Sequence, residues 1–378
     1  MNSQSMQFGK AFMGEPDQNK SANQSAQELG SESRATAENK AASADKAALD
    51  KTAAGQAHAG QTKIADTQNN AVSNTANSPI KDAPLARYTT LRIGGNADYF
   101  YQPSSVQDLV ALVSDLQKRG EKWYVLGGGS NLLISSNGVR GHVIRTAGLT
   151  GIKILEPGLL EAEAGARLPH LAKMAAQSGL SGLEFAVGIP GTVGGAVIMN
   201  AGAHGSSISA ILKTALVLDS ETGTVKEMTN DELKFQYRRC LLDPLKHVVL
   251  SAKFIMPQDK PELIEARTKH NEEYRLKTQP IGFPNAGSTF KNPFPDKSAG
   301  YLIDSSGLKK TQVGNACVSE LHANFVINLG NATSHEVAAL LKQMQNTVKE
   351  KFDIDLTPEW KTMGEFSDDE LSVWRTNK

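Results

Sequence analysis

The sequence predicts an α+β protein in which two small α/β subdomains are followed by a C-terminal α/β domain. Three observations carry this prediction. From Tyr88 onward, runs with the 3.6-residue helix period alternate with short apolar runs of strand type. Two glycine-rich loops, at Gly127–Gly129 and Gly188–Gly205, each follow apolar sequence. The 378 residues also exceed what one hydrophobic core usually encloses, so two or three domains are expected.

Residues 1–84 are a different kind of polymer. They are rich in Ala, Ser, Asn, Gln and Lys and contain no Trp, Tyr or Cys. Too few large apolar groups are present to offset the entropy of ordering, which predicts a disordered low-complexity extension with transient helix around Ala41–Lys51. Order is expected from near Tyr88, where TTLRIGG leads into DYFYQP. Ser105 can cap a helix whose apolar face is Val106, Leu109, Val110, Val113 and Leu116, and Gly120 closes it. A strand at Trp123–Leu126 then runs into GGGSNLL, completing a first subdomain over 85–148.

Short strands follow at Val143–Arg145, Ile152–Leu155 and Leu160–Glu163, then a helix at Leu168–Ser178. Ala215–Asp219 and Val225–Met228, joined by SETGT, read as a hairpin, and His247–Ile255 is a long strand. These make a second subdomain over 149–258. Pro261–Leu276 reads as a charged helix opening on proline. A third unit, 259–353, continues with AGSTFKNP, AGYLIDSSGLKK, a strand at Asn324–Leu329 and a helix from His335 to Lys351, for which Ser334 is placed as the cap. Asp304 reads as a capping group. Ile354–Met363 is strand-like and returns within 354–366, leaving a polar tail at 367–378.

Composition narrows the chemistry. Forty basic and forty acidic residues balance to a net charge of zero, which gives no support for nucleic-acid binding. No run of about eighteen apolar residues predicts membrane insertion. The N-terminus lacks a secretory core, so a cytoplasmic location is expected. Cys240 and Cys317 are read as reduced thiols, and the histidines from His142 onward show no metal spacing. No metal is expected.

GIPGTVGGAVIMNAGAHG, with six glycines in eighteen positions, is either a glycine-rich surface turn or a loop built to hold an anion. Its interleaved Ile189, Val193, Val197, Ile198 and Met199 favour the second. Gly127–Gly129 lacks the third spaced glycine of a dinucleotide-binding fingerprint, and neither loop contains the Gly-Lys-Ser/Thr of a P-loop. What remains is a pair of jaws able to close on a dinucleotide pyrophosphate, with Ser130 and Asn131 adding side-chain donors.

VLGGGSNLL, the long glycine loop and TTLRIGG, in that company, resemble the UDP-N-acetylenolpyruvoylglucosamine reductase (MurB) family, over about Arg87 to Phe366. The resemblance implies the flavoprotein fold of the vanillyl-alcohol oxidase and p-cresol methylhydroxylase type, with the third unit as substrate-binding domain. The length from Tyr88 to Phe366 fits the shorter, type II layout. Non-covalent FAD is implied as cofactor, held by Arg92, Gly127, Gly128, Gly129, Ser130, Asn131, Gly188, Thr192, Gly194, Gly195 and Gly202. NADPH and UDP-N-acetylglucosamine enolpyruvate are the implied co-substrates. Three further motifs support it. In the Tyr237-Arg238 pair, Arg238 is implied to hold the substrate carboxylate, a task suited to a planar, permanently charged fork. Cys240 stands where the family has serine. In AGSTFKNP, Ser288 is implied as proton donor, with Lys291 and Asn292 in the substrate site beside Tyr237. In LTPEWKTMG, Glu359 is implied to work with Arg238, which requires a raised pKa. The product would be UDP-N-acetylmuramate, a peptidoglycan precursor, and a monomer or weak oligomer is expected. An oxidase on the same flavin fold and a non-catalytic flavin or nucleotide-sugar binder are the competing readings.

Overall fold

The structure, a computed structural model, describes residues 78–375. The first subdomain contains β1 (Ile80–Pro84), β2 (Asn96–Tyr101), α1 (Val106–Lys118), β3 (Trp123–Leu126), β4 (Leu132–Ile134) and β5 (Val139–Arg145). Four of these strands form a sheet in the order β1-β2-β5-β3, with β2 and β3 both parallel to β5. Helix α1 starts where Ser105 accepts a hydrogen bond from the Asp108 amide, and it buries Leu109, Leu112, Val113 and Leu116. The strand β1 corrects the expectation that the extension runs to residue 84. Its backbone pairs antiparallel with β2, Ile80 opposite Phe100, while four of its five side chains stay exposed. Composition reports side chains, so a strand held by its backbone escaped it. The helix expected at Ala41–Lys51 lies outside the described residues.

The second part of the chain adds β6 (Ile152–Glu156), β7 (Leu159–Glu163), α2 (Leu168–Gln177), α3 (Val193–Ile198), β8 (Gly202–Ala203) and β9 (Ser206–Ser207). It continues with β10 (Leu212–Asp219), β11 (Thr224–Thr229), α4 (Asn230–Leu233) and β12 (His247–Ile255). An antiparallel sheet runs β11-β10-β12-β7-β6. As its central strand, β12 is buried on both faces, which explains its unbroken apolar run. Leu160, Phe254, Leu171 and Val197 belong to the core shared by this sheet, α2 and α3. The long glycine loop is thus interrupted by a helix, α3, inside an apolar cluster.

The remaining elements are α5 (Pro261–Thr278), α6 (Ala299–Ser305), β13 (Gln312–Val313), β14 (Ala316–Val318), β15 (Val326–Asn328), α7 (Ser334–Phe352), β16 (Lys361–Met363) and α8 (Asp368–Ser372). Helix α7 lays Leu341 and Met344 into a core with Phe290, Leu302 and Trp360, to which Leu91 and Leu133 also contribute. Its cap is Thr333, which forms a reciprocal capping box with Glu336. Ser334 is instead the first helical residue, and its hydroxyl contacts Glu370. Asp304 is not a cap either: it lies inside α6 and pairs with Lys309 at 2.7 Å. The strand expected over Ile354–Met363 contracts to β16, which runs parallel to β4, with a bridge between Pro358 and Phe290 before it. The expected polar tail folds as α8, where Ser367 and Glu370 form a capping box and Trp374 Nε1 donates to the Trp360 carbonyl at 2.9 Å. Asp368 and Asp369 face solvent, so the sequence looks polar, while Glu370 and Val373 are buried.

Candidate active site

The two glycine loops meet. Gly128 packs so closely on Gly191 that a Cβ on Gly128 would lie 2.6 Å from the Gly191 Cα, and Gly129 takes a left-handed φ of 60° beside Tyr88. Ser130 Oγ donates to the Pro190 carbonyl at 2.8 Å, which ties one loop to the other. Between them opens a cleft of about 760 Å³, lined by Gly127, Gly128, Gly129, Ser130, Asn131, Thr192, Gly194, Gly195 and Gly202 among the expected residues. Arg238, Ser288 and Glu359 line the same cleft.

Glu359 arrives on the segment leading into β16, and Arg238 arrives from the turn after α4. Arg238 takes a left-handed φ of 58°. Its Nη2 donates to the Gly202 carbonyl at 3.0 Å, and its guanidinium stacks over the Tyr237 ring at 5.1 Å. The Arg238 Nε lies 2.9 Å from Glu359 Oε1 but makes no aligned hydrogen bond, so the contact is an ion pair held off the N–H axis. Burial pushes the Glu359 carboxyl above its ordinary value, outweighing the downward pull of Arg238 and Lys291. Ser288 follows Gly287, whose φ of 76° turns the chain at this point. The Ser288 hydroxyl has no hydrogen-bond partner among the described residues.

Five expected residues fall outside the cleft lining. Arg92 is exposed with a φ of 56°. Gly188 packs against the Arg275 side chain. Tyr237 is 53% exposed and reaches the site only through its stack with Arg238. Lys291 is half-buried, its pKa lowered by burial and by Lys361 while Glu359 pulls the other way, which places it near Glu359. Asn292 accepts the Ala299 amide at 3.1 Å and so starts α6. Inside the cleft, Asn131 spends its amide on protein rather than leaving it free: Nδ2 donates to the Glu359 carbonyl at 3.3 Å, and the Asn131 carbonyl accepts the Lys361 amide at 3.1 Å.

Sequence reasoning missed the end of α5. Tyr274, Arg275 and Gln279 line the cleft. Burial alone lowers Arg275 to about 10, because no carboxylate among the described residues lies within ion-pair distance. Its position near a helix C-terminus reads in sequence as an ordinary last-turn cation, and no signal distinguished it.

Two family models match the chain. The FAD binding domain matches residues 97–229, and the C-terminal domain of UDP-N-acetylenolpyruvoylglucosamine reductase matches residues 279–363. A protein of Bacillus licheniformis with that enzyme name is 43% identical over 288 residues, spanning 76% of this chain and 94% of its own. The chain belongs to the UDP-N-acetylenolpyruvoylglucosamine reductase family. A Synechococcus sp. member is 45% identical over 296 residues, 78% of this chain and 96% of its own. The crystal structure of the Thermus caldophilus reductase matches with a TM-score of 0.65 and 33% identity, covering 76% of this chain and 98% of that one.

FAD is therefore the cofactor of a flavin-dependent oxidoreductase, and the residues present fit it. Thr192 Oγ1 is buried with no hydrogen-bond partner, at the mouth of α3 and beside Gly127. A buried hydroxyl of this kind lacks a partner that a ligand oxygen can supply. A Cβ on Gly195 would meet nothing closer than the Thr192 Oγ1, at 3.8 Å. The glycine there keeps free a space that belongs to the cleft rather than to the protein core.

Proposed function

We propose that the chain reduces UDP-N-acetylglucosamine enolpyruvate to UDP-N-acetylmuramate at the expense of NADPH, in the synthesis of peptidoglycan precursor. The observation that carries this reading is the meeting of Arg238, Glu359 and Ser288, contributed by three distant parts of the chain, in the lining of one cleft closed by the glycine loops. Held between the two glycine loops, with Ser130 and Thr192 among the residues around it, bound FAD would supply the hydride chemistry between NADPH and the vinyl carbon remote from the substrate carboxylate. The electron pair released from the vinyl bond then spreads onto that carboxylate. Arg238, fixed by Gly202 and by the Tyr237 ring, holds the growing charge. Burial favours the protonated form of the Glu359 carboxyl, and when it carries the proton it donates a hydrogen bond to the same oxygens. Ser288 gives its proton to the carbon adjacent to the carboxylate, an acceptor basic enough for a hydroxyl donor, and recovers a proton from solvent. Lys291 and Tyr237 support the substrate-facing side of this group. A cytoplasmic monomer or weak oligomer completes the proposal. Both cysteines are free, and among the described residues no helix is long and apolar enough to cross a membrane.

An anaerobic absorbance experiment tests the reading. NADPH should bleach the flavin of both the wild type and Ser288→Ala at similar rates. On adding the enolpyruvyl substrate, colour should return quickly in the wild type and at least about 10³-fold more slowly in the variant, the scale of a lost general acid. Near-normal recovery in Ser288→Ala would overturn the assignment. Rapid recovery in air without substrate would point to an oxidase, and no substrate-dependent recovery at all to a binding protein.

A further inference from the structure

We propose that Asn324 is a positioning residue that sets Ser288 and Glu359 in register with each other. The proposal rests on the roles given above to those two residues. Asn324 is buried, at 3% exposure, and hydrogen-bonds to neither of their side chains. Its carboxamide pairs with both backbone groups of Phe290. Oδ1 accepts the Phe290 amide at 2.9 Å, and Nδ2 donates to the Phe290 carbonyl at 2.8 Å. The Asn324 main-chain carbonyl accepts the Thr289 amide at 2.8 Å. One residue thus acts as a short piece of strand beside the segment that begins at Ser288. On its other edge that segment is zipped to the acid: Glu359 N donates to the Thr289 carbonyl at 2.8 Å, and Lys291 N donates to the Thr357 carbonyl at 2.9 Å.

The demand on the side chain is specific. Phe290 is fully buried, so its amide and carbonyl both need partners, and only a planar group with a donor and an acceptor side by side supplies them. Asn324 is itself fixed, because its amide donates to His322 Nδ1 at 3.2 Å. If the pairing is lost, Ser288 shifts relative to Glu359, and displacements of about 1 Å can slow a reaction about 10²-fold.

Asn324→Asp tests this with little change in shape. When ionised, its carboxylate still accepts the Phe290 amide but has nothing to donate to the Phe290 carbonyl; when protonated, it does. In the FAD-loaded variant, bleaching by NADPH should match the wild type. Recovery on adding UDP-N-acetylglucosamine enolpyruvate should be about 10²-fold slower at pH 8, with KM little changed. The ratio of variant to wild-type recovery rates should rise as pH is lowered. Amide hydrogen exchange at Thr289 and Phe290 should quicken more than in Val348→Ala, a core change made in α7 as a stability control. Asn324→Ser, which cannot titrate, should slow recovery by a ratio that stays flat with pH, so only Asn324→Asp is judged by its pH dependence. Unchanged recovery, equal slowing of both half-reactions, a pH-independent ratio in Asn324→Asp or loss of flavin from both variants would overturn the proposal. Ser288→Ala is run in parallel. If that variant is active, the assignment of Ser288 fails; if it is inactive while Asn324→Asp behaves as wild type, only the positioning role fails.

Discussion

At the scale of single residues, Glu359 shows how burial and charge compete. Its carboxyl sits 2.9 Å from a guanidinium that would ordinarily draw its pKa down, yet burial prevails and raises it. The raised value sets the sign of the pH dependence. The group that bears the proton is present below the raised pKa and is lost as pH climbs through it, so substrate-dependent recovery of flavin colour should decline with rising pH in that window. Glu359→Gln keeps a hydrogen-bond donor but cannot titrate. Its recovery rate should be flat across the same window, within about 10-fold of the wild type at the low-pH end where one donor replaces another, and the gap should close as the wild type loses its proton. Stopped-flow recovery measured from pH 5 to 9 checks both, and a Gln variant that keeps the wild-type slope would show that another group titrates. Neither Ser288 nor Glu359 was legible from residue chemistry, because a Gly-Ser turn and an isolated glutamate are common; both became visible only through the resemblance carried by the motifs around them. Asn131 was legible as part of a jaw, but not as a clamp on the Glu359 backbone, since a bond across 228 residues leaves no local pattern.

Among the elements, those with local rules were read well. Helix α1 follows its serine cap and apolar spacing, and β12 follows its apolar run. Helix α5 was found, but its purpose was not, because only Ile264 among its residues is buried and its faces look alike in sequence. It docks through polar contacts. Arg267 reaches Glu184 at 2.8 Å and Asp259 at 2.7 Å, while Asn271 Nδ2 donates to the Glu184 carbonyl at 3.0 Å. Burial would raise the Glu184 carboxyl, but hydrogen bonds from Arg267, Ser181 and the Gly182 amide more than compensate and hold it below its ordinary value. A lowered folded value means that its stabilisation is complete above the unfolded carboxylate pKa and is lost as pH falls through the folded one. Glu184→Gln should therefore cost about 1–3 kcal/mol at pH 7, and this difference from wild type should vanish in strongly acidic solution. Denaturant unfolding at pH 7 and at successively lower pH measures it; a constant difference would show that the carboxylate charge does not matter. Flavin affinity should weaken in parallel, because the same helix carries Arg275 into the cleft.

For the whole molecule, changes in period mark where elements begin and end, whereas the contacts that pack distant elements into one core leave no local pattern. Leu91 and Leu133, from the first part of the chain, are buried in the same core as α7 and Trp360. The start of the folded part was set several residues too late, since β1 contributes backbone pairing and one inward side chain, Ala83 at 3% exposure, and Leu85 just after it is fully buried. A chain spanning 86–378 should thus melt roughly 5–10 °C below one spanning 78–378, the effect of losing one buried leucine and a strand. Calorimetry of the two truncated chains decides it, and equal melting temperatures would mean that β1 adds nothing.

The parallel pairing of β16 with β4 gives the enzyme a timetable. Lys361, Thr362 and Met363 complete the lining of the cleft, and Lys361 N bonds back to Asn131. On the ribosome the glycine loops are made before these residues are, so the nascent chain passes through a stage in which both loops exist and β16 does not. The lining of the cleft is therefore complete only once β16 has been translated.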